Sequence, residues 1–365
     1  MDPVRVLAFY LPQFYPTAEN DEWWGPGYTE WTAVASARPM FPGHHQPRLP
    51  GELGFYDLRN PETRRAQADL AREHGIHGFC YWHYWFGNGR RMLERPFDEV
   101  LASGEPDFPF CLTWANENWT RVWHGKPGSV LIEQEYPGPD DERRHFDTLL
   151  PAFHDARYWR VDGLPLFLVL KPENLPDPHG FTDRWRALAR DAGLPGLFLV
   201  GLSAGDVHPT QLGFDGAVAS RLVPPFRARV KAEPNAARRV DWMLSAASRR
   251  TPGIPPVYSY ARWANYIPDL LDDGDASFPV VLPGWDNTPR RGRYGLVFHG
   301  ETPERFEAQV RHAVELARQR PPEHQLLFVR SWNEWAEGNY LEPDRTWGRA
   351  FLEAFRRATG DGITP

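Results

Sequence analysis

The chain has 365 residues, and 41 Lys and Arg against 48 Asp and Glu give it a net charge of −7 at neutral pH. This acidic balance argues against general nucleic-acid binding. Hydrophobic residues make up 41 % of the chain, enough for a sizeable core, but no apolar run approaches the roughly 20 residues that span a bilayer. The N-terminal MDPVRVLAFYLP predicts a strand rather than a signal peptide, so we expect a cytoplasmic protein.

Short apolar runs rich in Val, Leu, Phe and Tyr recur along the chain, and their near-continuous hydrophobicity is typical of strands that are buried on both faces. In chain order they are Val4–Leu11, Ile76–Tyr81, Phe108–Trp114, Leu164–Leu170, Leu197–Leu202, Gly216–Ser220, Phe278–Pro283 and Leu326–Ser331. Because helical patterns separate these strands, we predict an α/β fold, a single (β/α)8 TIM barrel over residues 1–365. The sixth strand is the least well defined, and an open doubly wound sheet is the alternative.

The clearest helical pattern is Pro61–His74, with Asn60 as its N-cap, a proline in its first turn and Gly75 just past its end. Thr302–Gln319 carries apolar residues at roughly helical spacing, and a last helix is predicted over Arg345–Ala358.

Two connections are long. The first, from Pro12 to Asn60, contains Trp23, Trp24 and Trp31 and many prolines but little helical pattern. Loops of this length are usually functional or disordered, and the aromatic content argues against disorder. We therefore expect it to fold over the mouth of the barrel. A second insertion, Ala115–Asp140, follows the third strand.

Polar residues interleaved with tryptophan follow several strands, at the end of a barrel where active sites lie. Aromatic rings supply apolar faces, while amides and carboxylates bond hydroxyl groups, and a carbohydrate demands both. The bland alternative is that barrel rims are polar in any case. The candidate substrate-binding residues are Tyr10, Gln13, Glu30, Trp31, His83, Tyr84, Trp114, Asn116, Glu117, Trp119, Trp285, Asn287, Trp332 and Asn333.

The stretch SWNEWAEGN follows the eighth strand and contains Glu334 and Glu337, three residues apart. Cleaving or transferring a glycosidic bond normally requires two carboxyl groups, one that donates a proton and one that acts as base or nucleophile. If the chain turns helically here, their Cβ atoms lie about 5–6 Å apart. Carboxylates this close raise each other's proton affinity, so one can stay protonated near neutral pH. We predict that they are the catalytic pair; alternatively, Glu337 is only the first-turn carboxylate of a short helix.

Glu117 competes for a catalytic role, because Asn116-Glu117 repeats the Asn-Glu dipeptide at another strand end. It is a candidate acid or a partner of a substrate hydroxyl. His83 lies among aromatic residues and is predicted to be a neutral hydrogen-bonding partner rather than a metal ligand.

We predict no metal and no other cofactor. Cys80 and Cys111 each lie in an apolar strand and are expected to be free buried thiols. His44-His45 has no acidic neighbour at ligand spacing, and neither a dinucleotide fingerprint nor a phosphate-binding loop is present. Asp273-Gly274-Asp275 matches the D-x-D pattern by which many nucleotide-sugar transferases hold a metal, but it precedes the seventh strand instead of following one.

Four stretches of the chain carry a family signal. They are FYLPQFYPTAENDEWWGPGYTEWT, GFYDLRNPETRRAQADLAREHGIHGFCYWHYWF, LERPFDEVLASGEPDFPFCLTWANENWTR and SWNEWAEGNYLEPD. The chain resembles the WbsX-like proteins, a group often described as polysaccharide-biosynthesis glycosyltransferases and related to the endo-α-mannosidase family of glycoside hydrolases. The resemblance implies a (β/α)8 barrel and metal-independent chemistry on glycans.

The endo-α-mannosidases carry two glutamates three apart after the last strand, and these match Glu334 and Glu337. The resemblance implies that Glu334 deprotonates the sugar's own 2-hydroxyl, giving a 1,2-anhydro intermediate, and that Glu337 is the general acid/base. Such a route suits an axial 2-hydroxyl, as in α-mannose or α-L-rhamnose.

The leading hypothesis is therefore a retaining glycoside hydrolase that binds an oligosaccharide or polysaccharide of microbial origin. The alternatives are a glycosyltransferase of O-antigen or capsule assembly and a non-catalytic carbohydrate-binding barrel. The sequence does not indicate an oligomeric state.

Overall fold

A computed structural model describes residues 4–121, 129–203, 207–219, 251, 253–264 and 276–360 of the chain. At the centre of these residues lies a sheet of parallel strands. The strands are β1 (Arg5–Tyr10), β2 (Gly78–Trp85), β3 (Phe110–Trp114), β4 (Leu164–Val169), β5 (Phe198–Ser203), β6 (Gly216–Ala219), β7 (Ser277–Phe278 and Val280–Val281) and β8 (Leu326–Val329).

The sheet closes on itself. Each strand pairs in parallel with the next from β1 to β6, and β8 pairs with β1. Pro279 divides β7, so that Ser277–Phe278 pairs with β6 and Val280–Val281 pairs with β8. Proline cannot donate a ladder hydrogen bond, but the carbonyl of Pro279 accepts one from the amide of Phe328 at 2.9 Å. The predicted (β/α)8 barrel is confirmed, and the open sheet is wrong.

The strand bounds differ from the predicted ones at a few ends. β2 continues past Tyr81 to Trp85, because its aromatic end alternates between two faces as a strand does. The sixth strand ends at Ala219, and Ser220 lies outside the described residues. Asp273-Gly274-Asp275 also lies outside them. Cys80 and Cys111 are free and buried, opposite each other on β2 and β3, as expected.

Helices surround the sheet and follow most of its strands. They are α1 (Ala18–Trp24), α2 (Glu30–Ser36), α3 (Pro61–Glu73), α4 (Arg95–Ser103), α5 (Pro139–His154), α6 (Pro178–Asp191), α7 (Tyr260–Ala264), α8 (Thr288–Arg291), α9 (Pro303–Arg318) and α10 (Ala350–Thr359). α3 begins at the predicted cap, where the Asn60 side chain accepts from the amide of Glu62 at 2.9 Å. α10 begins later than predicted, because Asp344 first bonds the amides of Thr346 and Trp347 in a turn. Among the described helices, none has the length and apolar character needed to cross a membrane.

The loops contain further short strands. They are Arg91–Met92, Trp119–Thr120, Val130–Ile132, Arg160–Val161, Val257–Ser259, Trp285–Asp286, Val297–His299, Asn333–Glu334 and Asn339–Tyr340. Trp119–Thr120 and Val130–Ile132 pair in antiparallel, so the second insertion contains a hairpin.

The first long connection contains two short helices, α1 and α2, where the sequence predicted little helical structure. Both begin at a threonine cap: Thr17 accepts from an amide of the first turn of α1, and Thr29 makes a capping box with α2. These caps are the local signal that a search for apolar periodicity misses. The segment lies against the C-terminal rim of the barrel, as expected, since the ring of Trp31 packs on that of Trp335 with centroids 5.4 Å apart.

Asp286 ties this connection to the loop that follows β7. One of its oxygens accepts from His44 Nε2 and from Gln46 Nε2, both at 2.7 Å, and the other accepts from the Thr288 hydroxyl at 2.6 Å. Burial favours the neutral acid, but the hydrogen bond from His44 and the charge of Arg48 lower the pKa of Asp286 to about 2. His44 is therefore a structural partner of a buried carboxylate.

Replacing Asp286 with Asn is expected to lower the free energy of unfolding at pH 7 by about 3 kcal/mol, because Arg48 would stay buried after losing a compensating charge. The folded pKa lies below the ordinary value of 3.8, so wild-type stability from this carboxylate is lost as pH falls through that value toward the folded pKa. Urea unfolding at pH 7 and pH 3 measures both effects. Asp183→Asn, on the exposed face of α6, is the control; equal midpoints for the two variants would contradict the anchoring role.

Candidate active site

A cavity of about 820 Å³ opens at the C-terminal ends of the strands, a size typical of ligand sites. Strand β2 and the loops after β1, β3, β4, β7 and β8 contribute to its walls. The lining residues are Leu11, Gln13, Trp24, Tyr28, Trp82, Tyr84, Ala115, Glu117, Asn118, Trp119, Thr120, Gln134, Tyr136, Leu170, Lys171, Asn174, Trp285, Asn287, Arg290, Arg291, Arg330, Glu334 and Glu337.

Glu334 and Glu337 flank a tight turn after β8. A hairpin of residues 333–340 is closed by a 3-10 turn, with Gly338 at φ +57°. A Cβ on Gly338 would lie 2.8 Å from atoms of Asp286, so the hairpin packs closely on the neighbouring loop. Residues three apart eclipse in a 3-10 turn, which explains why both carboxyl groups face one cavity without an α-helix. Glu337 is the acidic residue in the first turn of this short 3-10 helix, and its side chain also lines the cavity.

Buried polar groups hold the hairpin from below. The side-chain amide of Asn333 accepts from the Leu11 amide at 2.7 Å and donates to the Leu11 carbonyl at 3.0 Å. Glu342 accepts from the indole of Trp335 at 2.6 Å and from the hydroxyl of Tyr56 at 2.9 Å. Burial raises the pKa of Glu342 to about 7 against the effect of these hydrogen bonds. The hairpin is thereby fixed to β1 and to the first long connection.

The surroundings of Glu334 favour its protonated form near neutral pH. Its side chain is buried, and its Oε1 accepts a hydrogen bond of 2.8 Å from the Trp82 indole. Burial and the negative charge of Glu337 raise the pKa of Glu334 to about 8, although the charge of Arg290 opposes the rise. Carboxyl groups that share a low-dielectric site cannot both ionise cheaply.

Glu337 instead forms an ion pair with Arg290, at 2.9 Å. The same guanidinium group bonds Glu30 of α2 at 2.6 Å, and Glu30 also accepts from the amide of Ala336 at 3.1 Å. All three charged side chains are almost completely buried. Arg290 thus joins the pair to the first long connection.

Aromatic rings and a second ion pair complete the walls. The rings of Tyr84 and Trp119 pack 5.1 Å apart, and the guanidinium of Arg330 lies 5.5 Å from the ring of Trp285. On the opposite strand ends, Lys171 forms an ion pair with Glu117. Flat apolar faces therefore alternate with charged donors and acceptors around the cavity, as sugar binding requires.

The structure brings part of the predicted site together. Both predicted catalytic glutamates line the cavity. The predicted binding residues that also line it are Gln13, Tyr84, Glu117, Trp119, Trp285 and Asn287. Those that do not line it are Tyr10, Glu30, Trp31, His83, Trp114, Asn116, Trp332 and Asn333.

His83 and Trp114 point away from the cavity because successive side chains of a strand alternate between faces. Trp82 and Tyr84 face inward, so His83 faces the helices, where its Nε2 lies 2.8 Å from that of His145. Burial lowers the pKa of His83 to about 3, so it is a neutral hydrogen-bonding partner, but of another histidine.

Other predicted residues support the site from the core. Tyr10 and Trp332 are fully buried, and the indole of Trp31 donates to the backbone of the first long connection. The Asn116 side chain brackets the backbone of Lys171, accepting from its N–H and donating to its carbonyl at 2.8 Å each. Glu30 lies behind Arg290. Strand-end position alone does not distinguish these residues from those that face the cavity.

Sequence reasoning missed several lining residues. Trp82 could have been predicted from the sequence, because strict alternation of side chains along the strand places Trp82, and not His83, on the same face as Tyr84. Lys171 directly follows β4, and Arg330 directly follows β8. Arg290 follows Asn287 by one helical turn, and no sequence signal assigns it to the site, because its importance comes from its contacts with Glu30 and Glu337.

Comparisons with known proteins agree with this architecture. The chain matches the family described as Glycosyltransferase WbsX over residues 6–355. It is 39 % identical to the "Uncharacterized protein WxcX" of Xanthomonas campestris pv. campestris over 359 residues, which cover 98 % of this chain and 50 % of that protein. A second strain of that bacterium has a relative of the same name and identity. The chain thus spans about half the length of the curated relatives it matches.

Solved structures share the fold at low identity. A glycoside hydrolase-like protein superimposes with a TM-score of 0.59 and 15 % identity, covering 98 % of this chain and 94 % of that one. The GH99 endo-alpha-mannosidase from Bacteroides thetaiotaomicron superimposes with a TM-score of 0.55 and 15 % identity, covering 99 % and 98 %. Likeness at this level shows the barrel fold alone.

Glu334→Gln is expected to stabilise the folded protein. The folded pKa of about 8 lies above the ordinary value of 4.5, so wild-type stability falls as pH rises between these values, and the variant avoids that loss. The free energy of unfolding at pH 8 should exceed that of the wild type by about 2 kcal/mol, with a smaller gain at pH 5. Urea unfolding measures both. Glu353→Gln, exposed on α10, should change neither; a less stable Glu334→Gln at pH 8 would refute the raised pKa.

Proposed function

The chain belongs to the family described as Glycosyltransferase WbsX, and we propose that it is a glycan-processing enzyme that cleaves glycosidic bonds as a retaining glycoside hydrolase. One observation carries the proposal. Two buried glutamates face an aromatic-walled cavity, and burial together with their mutual repulsion raises the pKa of Glu334 to about 8, so the pair holds a proton at neutral pH. Glycosidic cleavage uses such a combination of one acid and one carboxylate.

For the reaction to begin, the shared proton must first pass from Glu334 to Glu337, as the substrate binds. In the first step of the proposed reaction, the Glu334 carboxylate then takes the proton of the sugar's 2-hydroxyl. The 2-oxygen forms a bond to C1, the bond from C1 to the leaving oxygen breaks, and that oxygen takes the proton of Glu337. In the second step, Glu337 accepts a proton from water, the water oxygen bonds to C1, and the bond from C1 to the 2-oxygen breaks. The 2-oxygen recovers its proton from Glu334. Two displacements at C1 retain its configuration.

This route sets a condition on the sugar. Ring closure at C1 requires the 2-oxygen and the leaving oxygen to be trans and both axial, as they are in α-mannosides and α-L-rhamnosides. We therefore propose α-manno- or α-L-rhamno-configured units of a microbial polysaccharide as substrate. One protein that shares the fold is an endo-alpha-mannosidase, which supports this choice. Trp82 and Trp285 offer flat faces for such rings in the cavity.

The family description favours a second candidate, glycosyl transfer. In that case Glu337 would deprotonate a sugar hydroxyl in place of water, and the donor would be a nucleotide sugar or another glycan. Hydrolysis without any added nucleotide sugar separates the two candidates.

The roles of the two glutamates can be distinguished by the leaving group. With 4-methylphenyl α-glycosides, both Glu334→Gln and Glu337→Gln should lower kcat/KM by about a thousandfold. With 2,4-dinitrophenyl α-glycosides, whose leaving oxygen needs no proton, Glu337→Gln should lose much less and Glu334→Gln about as much as before. The manno and rhamno series are both measured, by release of the phenol.

A substrate with fluorine in place of the 2-hydroxyl is the matched control, since it lacks the internal nucleophile and should not be cleaved. Cleavage of that substrate, full turnover by either variant, or phenol release only with an added nucleotide sugar would each contradict the proposed hydrolase mechanism.

A further inference from the structure

The guanidinium group of Arg290 lies between two carboxylates that come from different parts of the chain. It bonds Glu337 of the catalytic hairpin at 2.9 Å and Glu30 of α2 at 2.6 Å. The amide of Ala336, beside Glu337, donates to Glu30 at 3.1 Å. These three hydrogen bonds link the hairpin, Arg290 and α2 to one another. A movement of Glu30 or of Glu337 therefore disturbs the other carboxylate.

Resting on the proposed function, we propose that Arg290, held in place by Glu30, is the positioning residue that decides which glutamate of the pair carries the shared proton. Arg290 contacts Glu337, while Glu334 accepts a hydrogen bond from the Trp82 indole. A cation in direct contact favours the ionised form of the carboxyl that it touches. The shared proton of the empty site therefore lies on Glu334.

This distribution matches a defined stage of the proposed reaction. After the first step, Glu334 has gained the proton of the 2-hydroxyl and Glu337 has lost its own. The ion pair with Arg290 is thus ready for the charge that appears on Glu337 as the leaving oxygen takes its proton. An interaction that strengthens as the charge develops lowers the barrier. Burial makes Glu334 a stronger base.

Glu30 limits that effect. If Arg290 faced Glu337 alone, Glu337 would hold its proton too weakly to enter the reaction as an acid. Glu30 takes part of the charge of Arg290, and its own negative charge raises the proton affinity of Glu334. One oxygen of Glu30 is buried without a hydrogen-bond partner in the described structure. Stability alone does not require such a group, since a buried charge is costly.

Further charges face the pair. Arg330, from the end of β8, lowers the proton affinity of Glu334. The hydroxyl groups of Tyr28 and Tyr84 lie nearby, and burial keeps both neutral by raising their pKa values above the ordinary range. These groups are unchanged in the variants below, so shifts in titration report on Glu30 and Arg290.

The test is the pH dependence of kcat/KM on the aryl glycosides in Glu30→Gln and Arg290→Gln. The wild-type profile should be a bell, with limbs that report gain of a second proton and loss of the shared one. Glu30→Gln removes a negative charge and should move both limbs to lower pH by about one unit, whereas Arg290→Gln should move both upward by about one unit. Shifts in opposite directions are not expected from loss of packing.

Controls use neighbours on the same segments. Glu22→Gln, exposed on α1, and Arg293→Gln, exposed beyond α8, should leave the profile unchanged. Arg290→Lys keeps the charge and should restore the limbs to within about half a unit, with kcat more affected than KM because its geometry differs. If Arg290→Gln does not fold, Glu30→Gln and Arg290→Lys carry the test. Limbs that stay fixed in Glu30→Gln would overturn the proposal.

A second readout separates this proposal from the proposed function. Carboxyl carbons of glutamate labelled with ¹³C can be titrated by NMR without substrate, and Glu334→Gln and Glu337→Gln assign the two signals. Glu334 should titrate near 8, well above the ordinary range of a glutamate, and Glu30→Gln should lower that midpoint. Those shifts in a protein that cleaves no glycoside would sustain the positioning role and reject hydrolysis. Cleavage of a glycoside by a protein whose titration midpoints do not shift would support hydrolysis and reject the positioning role.

Discussion

Arg290 places its positive charge among three buried carboxyl groups. The chemistry of the site depends on this excess of acidic groups over the guanidinium. Arg290 contacts Glu30 and Glu337 directly, and Glu334 lies within range of its charge. In water such groups would all ionise, but inside the barrel mouth each uncompensated charge costs several kcal/mol. The folded protein meets this constraint by retaining a proton on Glu334, whose pKa rises to about 8. The cavity therefore contains a carboxyl group whose protonated form is favoured at neutral pH.

The fold holds this arrangement by crossing the ends of its strands with a long connection. Glu30 lies on that connection, Arg290 follows β7, and the catalytic hairpin follows β8. Asp286 ties the connection to the β7 loop through His44 and Gln46, and Gly338 allows the hairpin to approach Asp286 closely. The first long connection therefore both covers the barrel mouth and holds the charged groups of the site in position. Groups fixed in this way are preorganised, so little reorganisation is needed as charge moves during reaction.

The barrel and the glutamate pair could be predicted from sequence because each depends on local pattern. Buried parallel strands leave apolar runs, and a Glu-x-x-Glu after the last strand places two carboxyl groups at the active end. Side-chain direction is harder to predict: the sequence predicts both His83 and Tyr84 for the site, but neighbouring residues of a strand face opposite sides, and Trp82 faces the cavity with Tyr84. Glu30 was placed in the site as a binding residue, but its partner Arg290 lies 260 residues away in sequence. Contacts between segments that are distant in sequence produce no periodic pattern of residues, so the sequence does not predict them.

In the proposed mechanism, hydrolysis and transfer from a glycan donor use the same two glutamates and differ only in the acceptor. In that proposal, Glu337 is an ionised base paired with Arg290 after the first step, and it would activate whichever hydroxyl reaches C1. Water is small and abundant, and it reacts unless a bound acceptor excludes it. A transferase therefore needs a second sugar site whose occupancy removes water from Glu337. The rings of Tyr84 and Trp119 and the ion pair of Lys171 with Glu117 lie across the cavity from the β7 loop. Whether a glycan bound there leaves as product or attacks as acceptor is decided by its affinity relative to water, while the proton chemistry stays the same.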